Sequence, residues 1–170
     1  MAPLLQLQGI NWMVRKAMSL STPTLQIKQY TDEAGKVHID IELTATAGIK
    51  GTESRTLDWE PVSLTHGMFG PVESRSRFYT GKVEMQSEGV ENDVQFLDAD
   101  TLANGDASSW SEGSDPKHVQ TVMVSKEGGW VAEQTWGFEK IGGARYYTRR
   151  MVVSKSGKSE RARLVYDLVH

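Results

Sequence analysis

Aromatic and cationic side chains alternate along two neighbouring extended segments, and this spacing could build a binding pocket. Trp130, Gln134 and Trp136 project to one side of the first segment, because residues two apart share a face of a strand. Tyr147 and Arg149 share a side of the second. An apolar face with a few polar groups is the usual composition of a small-molecule site. The residues predicted to contact a ligand are Trp59, Arg75, Met123, Gln134, Trp136, Tyr147, Arg149, Leu164 and Tyr166.

The charged residues of these segments allow two interpretations. An inward arginine such as Arg149 or Arg75 would bind an anionic or carbonyl oxygen. Alternatively, the aromatic side chains fill a closed core and the arginines pair with glutamates on outer strands. Both remain open because alternation does not say which face is inward. The carboxylates that would act as a general base if they faced inward, and would otherwise be solvated, are Asp40, Glu42, Glu133 and Glu139.

Several classes of chemistry are not expected. The histidines, His38, His66, His118 and His170, are far apart in sequence, and cysteine is absent. A metal site is therefore not predicted. The sequence also contains no Gly-x-Ser-x-Gly element, phosphate-binding loop or dinucleotide fingerprint. We expect no cofactor.

Composition favours a single domain over residues 1–170, with 38% hydrophobic and 24% charged residues. The net charge of −3 comes without a basic stripe, so nucleic acid is not a predicted partner. No apolar run approaches the roughly 18 residues of a membrane span. These features predict a cytoplasmic protein without stable membrane insertion, and they leave the oligomeric state open.

The positioning elements are predicted to be strands. Runs at 118–127, 130–140, 144–154 and 160–169 are rich in Val, Thr, Tyr and Trp and are separated by short glycine turns, which is typical of a β-meander. Earlier strands are predicted near 25–30, 37–46, 52–59 and 73–80. Residues 81–117 read as a long loop or insertion, with a short helix or strand near 94–102. Because a meander must protect its edges, closure into a barrel is expected.

Residues 1–22 are predicted to form a helical cap. Ile10, Met13, Val14, Ala17 and Met18 recur at helical spacing and predict one buried face. On the other face lie Trp12, Arg15 and Lys16.

The stretch Gly9–Lys16, followed by Pro23 and Leu25–Lys28, resembles the helix-to-second-strand region of intracellular fatty-acid and retinoid binding proteins. Tyr166 near the end of the last strand adds to the resemblance, which covers about residues 9–59 and 158–169. It implies an antiparallel up-and-down calycin-like β-barrel with an N-terminal helix. The chain departs from that family at Leu164, where the family has an inward arginine, and it lacks a counterpart of the family's first strand. The length and middle insertion also resemble lipocalin-like proteins, including small β-barrel cyclases of natural-product pathways.

The functional prediction is non-covalent binding of a small hydrophobic molecule in a barrel cavity. The alternative is a cofactor-free isomerase or cyclase that acts on a hydrophobic natural-product intermediate in the same cavity. A third possibility is an interaction protein with a filled barrel.

Overall fold

The computed structural model describes residues 1–90, 92–111 and 117–169, apart from the side chains of residues 47 and 49. The helices are α1 (Ala2–Leu7), α2 (Trp12–Ser19) and α3 (Asp93–Leu97). The strands are β1 (Pro23–Thr31), β2 (Val37–Ala45), β3 (Ile49–Thr56), β4 (Val62–His66), β5 (Gly70–Tyr79), β6 (His118–Ser125), β7 (Val131–Ile141), β8 (Ala144–Lys155) and β9 (Lys158–Tyr166).

The strands form two antiparallel sheets with the orders β1-β2-β3 and β4-β5-β6-β7-β8-β9. Within each sheet every strand pairs with its neighbour in sequence, so the predicted antiparallel, up-and-down β architecture is confirmed at this level. Over the described ranges, no strand pairing closes the sheets into one barrel. The sequence analysis predicts no strand between residues 59 and 73, so β4 is an addition: its five residues lie between Pro61 and Gly67, which mask a run this short.

The small sheet packs its apolar face against the large one. The alternation predicted for β2 is observed: Ile39 and Ile41 are buried, and they form a cluster with Val119 and Trp136 of the large sheet. Adjacent residues on a strand point to opposite faces, so Asp40 points outward, where it accepts a hydrogen bond from the Ser54 hydroxyl. We call the face of the large sheet that meets β1–β3 the inner face, and the opposite face the outer face.

The prediction for the N-terminal helix was wrong about which residues are buried. No residue of α2 is buried, and Met13 is 62% exposed. The buried helix is α1, whose Leu4 lies against Met123 and Trp130 at one end of the inner face. At six residues, α1 is too short for apolar periodicity to reveal it.

We expect Leu4→Ala to lower the free energy of unfolding by about 2 to 3 kcal/mol, because it removes a buried side chain and leaves a cavity. Met13→Ala should change it by less than about 0.5 kcal/mol, as is usual at exposed positions. Urea unfolding of both variants measures the difference. A larger loss for Met13→Ala would mean that α2 is the packed helix.

Much of the segment that was predicted to be a long loop covers the outer face. We call its residues 81–90 and 92–111 the covering segment. Phe96 and Leu97 of α3 are buried in one cluster with Tyr79 and Val152 of the sheet. Arg150 donates to the backbone oxygens of Phe96 at 2.8 Å and Thr101 at 2.6 Å. The central strands of the large sheet are therefore covered on both faces, by the covering segment outside and by α1 and the small sheet inside. Among the described residues, no helix has the length and apolar character needed to cross a bilayer.

Candidate functional site

The structure brings seven of the predicted ligand-contacting residues to one surface, the inner face. Strand register places Trp136 opposite Arg149, Arg149 opposite Leu164, and Tyr147 opposite Tyr166. Gln134 lies on the same face, two residues before Trp136 in β7. Met123 does too, because it is four residues after Val119, the residue of β6 that pairs with Trp136. The inner-face members of the predicted set are Met123, Gln134, Trp136, Tyr147, Arg149, Leu164 and Tyr166.

Arg75 and Trp59 are not part of this surface. Arg75 pairs with Val122, and its neighbour Ser74 pairs with inner-face Met123. Since adjacent residues of a strand point to opposite faces, the Arg75 side chain lies on the outer face. It stacks on Trp59 at 4.5 Å from guanidinium carbon to ring centre and donates to Gln86. A sheet thus separates these two residues from the other seven.

The candidate general bases also lie away from the inner face. Glu133 and Glu139 are on the outer face, where both are buried by the covering segment. Glu133 accepts hydrogen bonds from the backbone nitrogens of Gln86 and Ser87, and Glu139 binds arginines. These are the contacts of structural carboxylates.

Sequence reasoning missed two charged residues of β3. Glu53 and Arg55 are paired in register with Ile41 and Ile39, so they lie on the side of the small sheet that meets the inner face. The available signal was the β2 alternation, because any β3 residue opposite an inward β2 residue is also inward. After Ile49, β3 contains only glycine and polar residues, and its own pattern therefore does not identify an inward face.

Arg55 and Arg149, which we call the arginine pair, meet around Trp136. The guanidinium carbon of Arg149 lies 4.2 Å from the Trp136 ring centre and that of Arg55 lies 5.3 Å away. Glu53 Oε2 is 3.0 Å from Arg55 Nη2 and 3.9 Å from Arg149 Nη1. Both arginine side chains are only 8% exposed, whereas that of Glu53 is 36% exposed.

The arginine pair has few hydrogen-bond acceptors. Arg55 Nη1 donates to the Ser74 hydroxyl at 3.2 Å, and Arg149 Nε donates to the Tyr147 hydroxyl oxygen at 3.2 Å. Arg55 Nε and Arg149 Nη2 are buried without a hydrogen-bond partner in the part of the chain that the structure describes. A buried donor without an acceptor is costly, so these nitrogens are suited to bind an oxygen supplied from outside the chain.

The local charges set the protonation states of the site. Burial would raise the pKa of the Glu53 carboxyl, but the charges of Arg55 and Arg149 outweigh it and hold that pKa below its usual range. Burial raises the pKa of Tyr147 and lowers that of His66. The Tyr147 hydroxyl therefore keeps its proton and, while its oxygen accepts from Arg149, can donate to a bound molecule.

Apolar surface surrounds these polar groups. Ile39, Ile41 and Val119 are buried beside Trp136, while inward-facing Leu164 is only half-buried. Partly buried hydrophobic residues packed on the same cluster are Leu25, Leu57, Phe78 and Tyr147. The inner face thus combines an apolar, largely aromatic wall with a small set of convergent donors, as small-molecule sites do.

A separate cleft of about 260 Å³ opens on the outer face between the covering segment and β6. Its carboxylates are used within the chain: Asp98 accepts from the Val83 backbone nitrogen, and Asp100 pairs with Lys82. None of the predicted ligand-contacting residues lines it. We assign this cleft to the attachment of the covering segment. No cluster of three potential metal-ligating side chains occurs within residues 1–90, 92–111 and 117–169.

Comparison with known proteins identifies relatives over almost the whole chain. It is 34% identical over 169 residues to the probable pericyclase scpY of Mollisia scopiformis, a match that covers 98% of this chain and 81% of the relative. It is 32% identical over 166 residues to the pericyclase pydY of Acremonium sp, which covers 96% and 81%. No protein-family model and no solved structure matches the chain. With these identities over nearly its full length, the chain belongs to the pericyclase family that contains these two proteins.

Proposed function

We propose that this protein is a cofactor-independent pericyclase that cyclises or isomerises a hydrophobic natural-product intermediate on the inner face. The observation that carries the proposal is the arginine pair, which stacks on Trp136 within an apolar cluster and retains unpartnered donors. The names of the two relatives favour this reaction class over simple ligand binding.

An intramolecular pericyclic reaction redistributes the bonding electrons of one molecule in a cyclic transition state, so product and substrate have the same mass. The protein accelerates such a step by holding the reacting termini in a reactive conformer. The apolar wall around Trp136 and Ile41 would fold the substrate chain. Donors aimed at a conjugated carbonyl oxygen, from Arg149 and the Tyr147 hydroxyl, would stabilise the charge that develops there.

The calycin-like cavity remains part of the proposal. The two sheets face each other across the Ile39–Trp136 contact, and half-buried inward residues such as Tyr166 would line the space that a ligand enters. We also propose that the protein acts in the cytoplasm.

Isobaric conversion tests the proposed reaction. Purified protein would be incubated with an extract of an Acremonium culture lacking pydY, and the mixture would be analysed by liquid chromatography and mass spectrometry. We expect one component to decrease while another of equal mass appears, and no such change with heat-denatured protein. The absence of any conversion, together with a retained small molecule in native mass spectrometry, would instead support the binding function.

Trp136→Ala is expected to weaken binding of a hydrophobic ligand by about 10-fold, since burial of an aromatic contact is worth 1 kcal/mol or more. Trp12→Ala should have little effect, because Trp12 is 68% exposed on α2. A titration with a fluorescent polyene compares the two variants. Equal or reversed losses would exclude the inner face as the binding surface.

A further inference from the structure

We infer that Glu53 occupies the place of a substrate oxyanion, and that the arginine pair binds a carboxylate or enolate oxygen when Glu53 moves aside. The inference rests on the proposed function and extends it to the substrate class, an acidic hydrophobic compound.

The first argument is the balance of charge. Two guanidiniums, each with a side chain only 8% exposed, share one carboxylate oxygen of Glu53. His66 is half-buried, and burial lowers its pKa, so its imidazole is mainly neutral at neutral pH and adds no positive charge to the cluster. Arg55, Arg149 and Glu53 together therefore carry a net charge of +1, because one carboxylate neutralises only one of the two guanidiniums. Buried charges are stable when paired, and an anionic ligand would complete the pairing.

The second argument is the contrast with the arginine on the outer face. Arg150 donates to Glu139, to the backbone oxygens of Phe96 and Thr101, and to the Ser108 hydroxyl. Within the described residues, the side chain of Arg149, one residue earlier in the same strand, makes one hydrogen bond, to Tyr147. Arg150 has the contacts of a structural clamp, whereas Arg149 keeps its terminal nitrogens available for an acceptor.

The third argument is the position of Glu53. Its side chain is 36% exposed, much more than the arginines that it contacts. Its Oε2 lies at hydrogen-bond distance, 3.0 Å, from Arg55 Nη2 but 3.9 Å from Arg149 Nη1. A carboxylate at the rim can return to water at low cost, so it is an exchangeable partner for the buried pair.

Parinaric acid, a fluorescent polyene carboxylate, and its uncharged methyl ester distinguish an oxyanion site from a purely apolar one. We expect the wild-type protein to bind the acid about 10-fold more tightly than the ester, as a charge-assisted hydrogen bond would give. Glu53→Gln removes the competing carboxylate. It should tighten acid binding about 5-fold and leave ester binding unchanged.

Two further variants complete the test. Glu33→Gln, in the exposed turn between β1 and β2, changes the net charge equally and should leave both affinities unaltered. Arg149→Met should abolish the preference for the acid. Arg149→Lys, which keeps the charge, should retain part of it and serves if Arg149→Met does not fold. If Glu53→Gln weakens acid binding, Glu53 only holds the arginines in place and the inference is overturned.

The result separates this inference from the proposed function. Loss of the acid preference with isobaric conversion intact would overturn the oxyanion site alone. A clear acid preference without any isobaric conversion would leave the oxyanion site standing and overturn the pericyclase proposal.

Discussion

Arg149→Met is expected to lower kcat/KM for the isobaric conversion by about 100-fold, the usual effect of removing one donor that stabilises developing charge. Arg149 is the better placed of the arginine pair. Its unpartnered donor among the described residues is a terminal nitrogen, Nη2, whereas that of Arg55 is Nε, and its guanidinium lies closer to the Trp136 ring, at 4.2 Å against 5.3 Å. Steady-state kinetics on the converted component would measure the loss. A fall mainly in kcat would indicate a role in the transition state, and a rise only in KM would indicate substrate binding.

The fold should survive this substitution. Removing Arg149 leaves Glu53 paired with Arg55 at 3.0 Å and takes away the excess buried charge. Arg75→Met is the matched control, because it removes the same charge from the outer face, where Arg75 stacks on Trp59. We expect the control to convert substrate at close to the wild-type rate. Equal losses in both variants would show that general charge, rather than the inner-face position, controls the reaction.

Glu139→Gln is expected to lower the free energy of unfolding by about 3 to 5 kcal/mol, the range for breaking a buried ion pair. Glu139 is 1% exposed and accepts from Arg150 Nε at 2.7 Å and Arg163 Nη1 at 2.7 Å. Glutamine keeps the shape but leaves Arg150 buried without a counter-charge. Urea unfolding measures the loss, and Glu160→Gln, at an exposed position of β9, is the control. A loss below about 1 kcal/mol would mean that other acceptors compensate Arg150.

The same carboxyl should make stability depend on pH. Burial would raise its pKa, but the hydrogen bond and charge of Arg150 outweigh it and hold the pKa below the ordinary 4.5. The carboxyl therefore contributes stability above that pH, and the contribution is lost as the pH falls through the lowered value of the folded state. Wild-type protein should lose stability more steeply than Glu139→Gln on acidification below 4.5. Parallel curves would argue against a depressed pKa.

Much of the inner face could be predicted because β-strands impose a two-residue period. Once 130–140 and 144–154 were taken as strands, Gln134 had to share a side with Trp136, and Tyr147 with Arg149. The tight Gly142–Gly143 turn then sets Ile141 opposite Ala144, and this register brings Trp136 and Arg149 to the same face. The same rule failed for Arg75, since no local pattern relates the phase of β5 to that of β7. Phase depends on the hydrogen-bonded register across β6, which a single strand does not encode.

Local sequence therefore determined most of the strands, their antiparallel order and which candidate residues share a side within each strand. Only the tertiary structure decided which face the small sheet covers, that α1 rather than α2 is buried, and that Glu53 and Arg55 join Arg149. Alternation in β7 and β8 is compatible with either face inward, because both faces of these strands are covered and buried. The outcome depends on long-range packing of β1–β3 and of the covering segment, whose contacts are set by shape and charge between segments distant in sequence.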